Sequence, residues 1–167
     1  NLFDKTIEEL LASKYVKKIY VLSEKESLTT GKSIQWIDRK KITGVENLGL
    51  DEVLRKSLNL IEESGVFPDS VLYVNYDYKK RPTSFFDSLI KDYQYNGCDT
   101  AFAGYLDFAH YWFKGVNGEF VQTDGSFVHR DKRDPVYRAL YGLGCLCCVH
   151  SLRKGKMISG KVGILPL

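Results

Sequence analysis

Asn75, Asp77 and Arg81 follow directly on the apolar, β-branched run Val71-Leu72-Tyr73-Val74 in this 167-residue chain. A strand that ends in such a turn presents an amide, a carboxylate and a guanidinium at its carboxyl end. Open α/β sheets bind ligands in the crevice at that end. A single Asp there is a partial Mg²⁺ ligand, because magnesium takes one or two carboxylates together with phosphate oxygens and water. Arg81 can grip a carboxylate or phosphate with two parallel hydrogen bonds. Asn75 can bind ligand hydroxyls. Each residue also has a plainer reading: an Asx-type turn for Asp77, a backbone hydrogen bond for Asn75, and a solvated charge in Lys79-Lys80-Arg81 for Arg81.

A second charged stretch holds Arg130, Lys132, Arg133 and Arg138, alternating with Asp131 and Asp134. Mixed sign suits a surface loop laced with ion pairs. The sharper alternative is a substrate clamp with Arg133 as its best member. His110, His129 and His150 stand apart and do not suggest a metal triad. Cys145, Cys147 and Cys148 are bunched, and Cys98 lies far from them. Their spacing lacks the paired halves of a zinc site, and strand neighbours do not make a disulfide framework. Buried thiols on a core strand are expected, in a reducing compartment such as the cytoplasm.

The elements that must position these groups are legible from periodicity. Phe3, Ile7, Leu10 and Leu11 predict a helix over 4–13, with Thr6 and Glu9 as a capping box. Helices are also expected over 50–64 and 84–95, each with an apolar stripe and a glycine stop. Apolar runs predict strands over 18–23, 33–37, 70–74, 98–105, 143–149 and 162–165, and a short turn or helical piece over 150–155. Residues 24–32 and 38–49 read as connections, and 124–138 as charged and irregular. Asn117-Gly118 between two aromatic runs signals a hairpin over 111–122. Helix and strand alternate through the first two thirds. The expected fold is therefore α/β, a mostly parallel sheet with helices on both faces and a small hairpin excursion.

Length and composition describe one ordinary globular domain, 44% hydrophobic and 27% charged. A net charge of +3 suits an anionic small ligand and is too weak to indicate nucleic acid or a membrane surface. No apolar run approaches the roughly 20 residues of a membrane helix. The chain begins at Asn1 rather than Met, so its natural amino terminus is expected upstream.

Taken in order, these residues resemble the cytidylyltransferases that activate acidic sugars, the acylneuraminate and 3-deoxy-manno-octulosonate enzymes. The likeness is carried by Thr6-Ile7-Glu8-Glu9 leading to Ile19-Tyr20-Val21-Leu22-Ser23, by residues 50–81, by the hairpin, and by residues 133–149. It implies a single nucleotide-diphospho-sugar transferase-like domain over 1–167. It also implies CTP and an acidic sugar as substrates, pyrophosphate release, Mg²⁺ as cofactor, and a role in surface polysaccharide synthesis. A homodimer is implied, built through the 107–132 excursion.

The resemblance also assigns residues. Asn75 stands where the family has the Gln of its Gln-Pro-Thr-Ser-Pro-Leu-Arg turn, and Arg81 where it has the Arg. Asp77 falls at a metal-binding Asp of the octulosonate branch, and Arg133 matches the family's Arg; Arg81 and Arg133 are the expected catalytic residues, and with Asn75 the expected substrate-binding ones. Tyr76-Asp77-Tyr78-Lys79 replaces the family's Pro-Thr-Ser-Pro, Asp134 replaces a Gln, and Leu143 replaces an Asn. The family's Gly- and basic-rich phosphate loop and its late acidic pair have no match in these 167 residues. A non-catalytic dimerising domain of the same fold and a nucleotide-sugar glycosyltransferase are the alternatives.

Overall fold

The computed structural model describes residues 1–24, 33–43, 48–123 and 129–167. Most of the expected 24–32 loop, and parts of the 38–49 and 124–138 connections, therefore lie outside the described residues.

Helix α1 spans Leu2–Leu11 and buries Thr6, Ile7 and Leu10. Its cap is Asn1, whose side chain accepts from the Asp4 backbone N–H, while Asp4 answers at the amino end of Asn1. The capping box thus lies upstream of Thr6 and Glu9, and both of those side chains face other work. Strands β1 (Ile19–Ser23) and β2 (Ile34–Asp38) pair in parallel. The short helix α2 (Arg39–Thr43) continues from β2 where only a connection was expected. Helix α3 (Leu50–Glu63) follows, with Asp51 and Glu52 in its first turn, where the helix dipole favours acids. Then come β3 (Ser70–Tyr73), α4 (Phe85–Asn96) and β4 (Thr100–Asp107).

The hairpin forms as β5 (Trp112–Lys114) and β6 (Phe120–Gln122), turning at Gly118 with φ +82°. Beyond it lie β7 (Val136–Ala139), β8 (Cys145–Cys148), α5 (Val149–Arg153) and β9 (Val162–Pro166).

The sheet is not mostly parallel. β8 pairs antiparallel with both β3 and β4, and β7 pairs antiparallel with the far half of β4. Only β4–β9 and β1–β2 are parallel among the described residues. The reason is that β8 returns from the hairpin excursion and inserts between two strands laid down earlier. Alternating helices and strands carry no record of such an insertion.

Helices do cover both faces. Ile7 and Leu10 of α1 and Phe85, Phe86 and Leu89 of α4 pack with Ile19, Ala101 and Ala103 on one side. On the other, Leu58 of α3 and Val149 and Leu152 of α5 pack with Phe102, Cys145 and Cys147. Ala101, Phe102 and Ala103 alternate between these clusters with the period of a strand buried on both faces. The four cysteines are free; three are buried and Cys148 is half-buried. The Cys145 and Cys147 sulfurs lie 3.8 Å apart, and their hydrogen bond together with burial pushes the Cys147 thiol far up. No helix among the described residues is long and apolar enough to cross a membrane.

Candidate functional site at the carboxyl end of β3

The chain leaving β3 is fixed by the turn that precedes β8. The Asn75 N–H donates to Gly142 O at 2.7 Å, which carries the ladder one step past the strand. Gly142 sits where it does because it has no side chain. A Cβ there would come within 2.8 Å of Tyr78 Cε2 and 3.1 Å of Asn75 Cβ. Asn75 Oδ1 accepts weakly, at 3.4 Å, from the Asp77 N–H. The Asx-type turn is thus made by Asn75, and Asp77 is the residue it presents. Asp77 is exposed. The Tyr73 phenol is raised above its usual range by burial first, then by Tyr78, Asp77 and Cys145.

Arg81 points inward. Its side chain is 2% exposed. Nε donates to Leu143 O at 3.0 Å, and Nη2 to Asn75 O at 2.7 Å. Nη1 donates to Thr6 Oγ1 at 3.1 Å and Glu9 Oε2 at 3.3 Å. The rings of Phe86 and Tyr78 lie 5.4 and 5.9 Å from the guanidinium carbon. Burial pulls the guanidinium below its usual range, and Glu9 opposes that pull. The expected grip on a ligand is therefore occupied by internal acceptors. Arg81 ties the turn after β3 to α1 and to the lead-in of β8.

Arg133 lies elsewhere. Its Nη1 donates to Phe108 O at 2.8 Å and to His110 Nε2 at 2.9 Å. The other ring nitrogen of His110 is 3.2 Å from Gln122 Nε2 on β6. Arg133 Nε is buried with no partner among the described residues. This cluster belongs to the excursion beyond β4. The structure brings Asn75, Asp77 and Arg81 into one turn and leaves Arg133 outside it. Around the excursion, Trp112, Phe113 and Phe120 are 55%, 54% and 72% exposed.

Tyr73, Tyr78, Gly142, Thr6 and Glu9 shape the site and were not singled out for it from sequence. Gly142 had a signal, a Gly-x-Gly pair just before a core strand. Thr6 and Glu9 had none, being 75 and 72 residues from Arg81. Among the described residues, no group of three or more His, Cys, Asp or Glu could hold a metal by itself.

No protein-family model matches the chain, and no curated protein does. Among solved structures, it is similar to 4-diphosphocytidyl-2C-methyl-D-erythritol synthase from Anaerococcus prevotii DSM 20548. The TM-score is 0.66 at 10% identity, over 99% of this chain and 76% of that one. At this identity the likeness speaks for the backbone and does not single out an acylneuraminate enzyme. The chain has a cytidylyltransferase-like fold.

Proposed function

We propose that the chain is the sheet-bearing part of a nucleotidyltransferase that moves a cytidylyl group from CTP onto an acidic sugar, for surface polysaccharide synthesis. The observation that carries this reading is the fold likeness across 99% of the chain. The exposed Asp77 at the carboxyl end of β3 is consistent with it. In this reading Asp77 would hold Mg²⁺, which would neutralise phosphate charge during transfer. One carboxylate completed by phosphate oxygens and water is a magnesium-type set. Asn75 orients Asp77 and can offer its remaining polar atoms to a sugar. Arg133 contributes from the excursion, whose exposed aromatics fit a homodimer contact. Arg81 keeps a positioning role.

The second reading is a non-catalytic dimerising domain. It is favoured by the burial of Arg81, whose charge no ligand can share in this arrangement.

Calorimetric titration of CTP with Mg²⁺, with ATP as control, separates the two. Selective CTP binding that weakens at least severalfold in Asp77→Ala supports the transferase. Absence of binding, with the dimer intact, supports the second reading.

A further inference from the structure

Three segments of the excursion meet at one imidazole. His110 is half-buried and stands between the chain leaving β4, strand β6 and the link that leads into β7. Arg133 Nη1, from that link, donates to His110 Nε2 at 2.9 Å and to Phe108 O at 2.8 Å. Gln122 of β6 sets its side-chain amide 3.2 Å from His110 Nδ1.

Donor and acceptor roles in this cluster follow from Arg133. A guanidinium can only donate, and it stays charged. His110 Nε2 must therefore accept. A neutral imidazole accepts at one nitrogen, and an imidazolium at neither. The ring is thus neutral, with its proton on Nδ1. That N–H donates to Gln122, whose amide turns its oxygen rather than its nitrogen to the ring. A protonated ring would set N–H against N–H and cation against cation at the 2.9 Å contact. Because Nη1 also serves Phe108 O, Arg133 cannot leave the ring and keep that second bond undisturbed. The other charged groups on these segments are placed elsewhere. Asp107 accepts from the Ala109 N–H and the Tyr111 hydroxyl, and Asp131 lies 3.2 Å from His129. Lys132 and Asp134 are exposed, Lys114 and Glu119 flank the hairpin's turn, and Arg138 lies over the Tyr105 ring.

We propose that His110 is an acid-release latch within the excursion. Neutral, it fastens the link at Arg133 to the hairpin at Gln122. Protonated, it drives Arg133 away and frees the two segments from each other. Imidazole is the side chain whose charge ordinarily changes between about pH 5 and 8, so mild acid operates the latch. The hairpin itself should survive the release. Thr123 closes it onto Tyr111 O through both its N–H and its hydroxyl, a path that bypasses the ring. The segment that loosens is the single turn Arg130–Lys132 beside Arg133, where the Lys132 N–H donates to His129 O. This inference rests on contacts within the excursion and not on the activity proposed above.

The test is nuclear magnetic resonance on the nitrogen-15-labelled 167-residue chain, with amide exchange expressed as protection relative to the unfolded rate. At about pH 8, ring correlations should show His110 protonated at Nδ1 and bare at Nε2. Between about pH 8 and 5 the protection of the Lys132 amide should fall about fivefold, the scale of one ordinary hydrogen bond. The amides of Thr123 and of Cys147 in β8 should hold. His110→Gln offers Arg133 an oxygen that takes no proton in this range, and should keep Lys132 protected at both ends. His129→Gln should leave the parent's fall in place. Three results would overturn the proposal: a His110 ring protonated at Nε2 at the higher pH, a parent chain in which Lys132 shows no fall, or an equal fall in His110→Gln. The first two need no variant.

Discussion

The turn after β3 and the hairpin excursion both gather arginine and aromatic side chains, and they use them in opposite ways. In the turn, Arg81 is buried and gives each of its three nitrogens an acceptor. The aromatics beside it, Tyr78 and Phe86, lie under its guanidinium. In the excursion, Arg133 uses one nitrogen for two acceptors and leaves Nε buried without one among the described residues. The aromatics there are turned outward. The first region spends its chemistry on holding the fold. The second leaves its aromatic surface exposed. Residue type alone does not assign a role, since an arginine beside a strand end can be a fastener as readily as a ligand.

The largest effect expected from this contrast is at Arg81. Arg81→Met leaves Leu143 O and Asn75 O without their donor, and Glu9 with only its 3.9 Å pairing to Lys5. Breaking one side of a buried charged network costs about 3–5 kcal/mol. Urea unfolding should show that loss, and Arg81→Lys should recover little of it, because an ammonium cannot reproduce the fork. A loss under about 1 kcal/mol would place Arg81 with the solvated charges after all. Next is Gly142→Ala, which forces Tyr78 or Asn75 to move and should cost about 1–3 kcal/mol. The paired variant Gly142→Ala with Tyr78→Phe tests the geometry: the Tyr78 contact is to a ring carbon, so removing the hydroxyl should bring little relief.

In the excursion, Arg133→Gln should cost only about 1 kcal/mol, the scale of ordinary hydrogen bonds. Trp112→Ser with Phe120→Ser should leave the melting temperature nearly unchanged while shifting sedimentation toward the monomer. A monomeric parent chain would remove the dimer from the reading. The smallest effect concerns alkaline pH. The folded-state phenols of Tyr73 and Tyr93 are raised, in both cases by burial first. The unfolded phenols release their protons near pH 10. Stability from this source is therefore full below about pH 10 and falls as pH rises through the raised folded values. Tyr73→Phe should flatten the decline seen in melts between about pH 9 and 11.

Much of this contrast was readable in advance, for local reasons. The stripes of α3 and α4, the apolar run of β3 and the Asn117-Gly118 turn are patterns within a few residues. What was not readable depends on distant partners. The direction of β8 is set by the two strands that it enters, and the expectation of a mostly parallel sheet failed there. β7 was missed because Val136-Tyr137-Arg138-Ala139 is short, follows a charged stretch and has three exposed residues. Arg81 looked solvated beside Lys79 and Lys80. Pro82 and the helix that follows carry the chain along α1 instead, with Ser13 Oγ donating to Asp87 at the far end. Asp77 is exposed, and the Asx turn expected of it is made by Asn75.

The insertion of β8 also has a consequence for synthesis. Its residues pair with Ser70–Tyr73 on one side and Thr100–Phe102 on the other. A nascent chain that has delivered β3 and β4 still lacks the strand that belongs between them, and must make all of the hairpin excursion before that strand emerges. The central ladder then closes over a long stretch of sequence, the kind of non-local contact that slows folding. While it waits, each growing chain exposes the apolar edges of β3 and β4 to its neighbours. The interval before residue 148 leaves the ribosome is thus the moment of greatest exposure to aggregation, and slowing or chaperoning translation there should raise the soluble yield more than stabilising the finished fold.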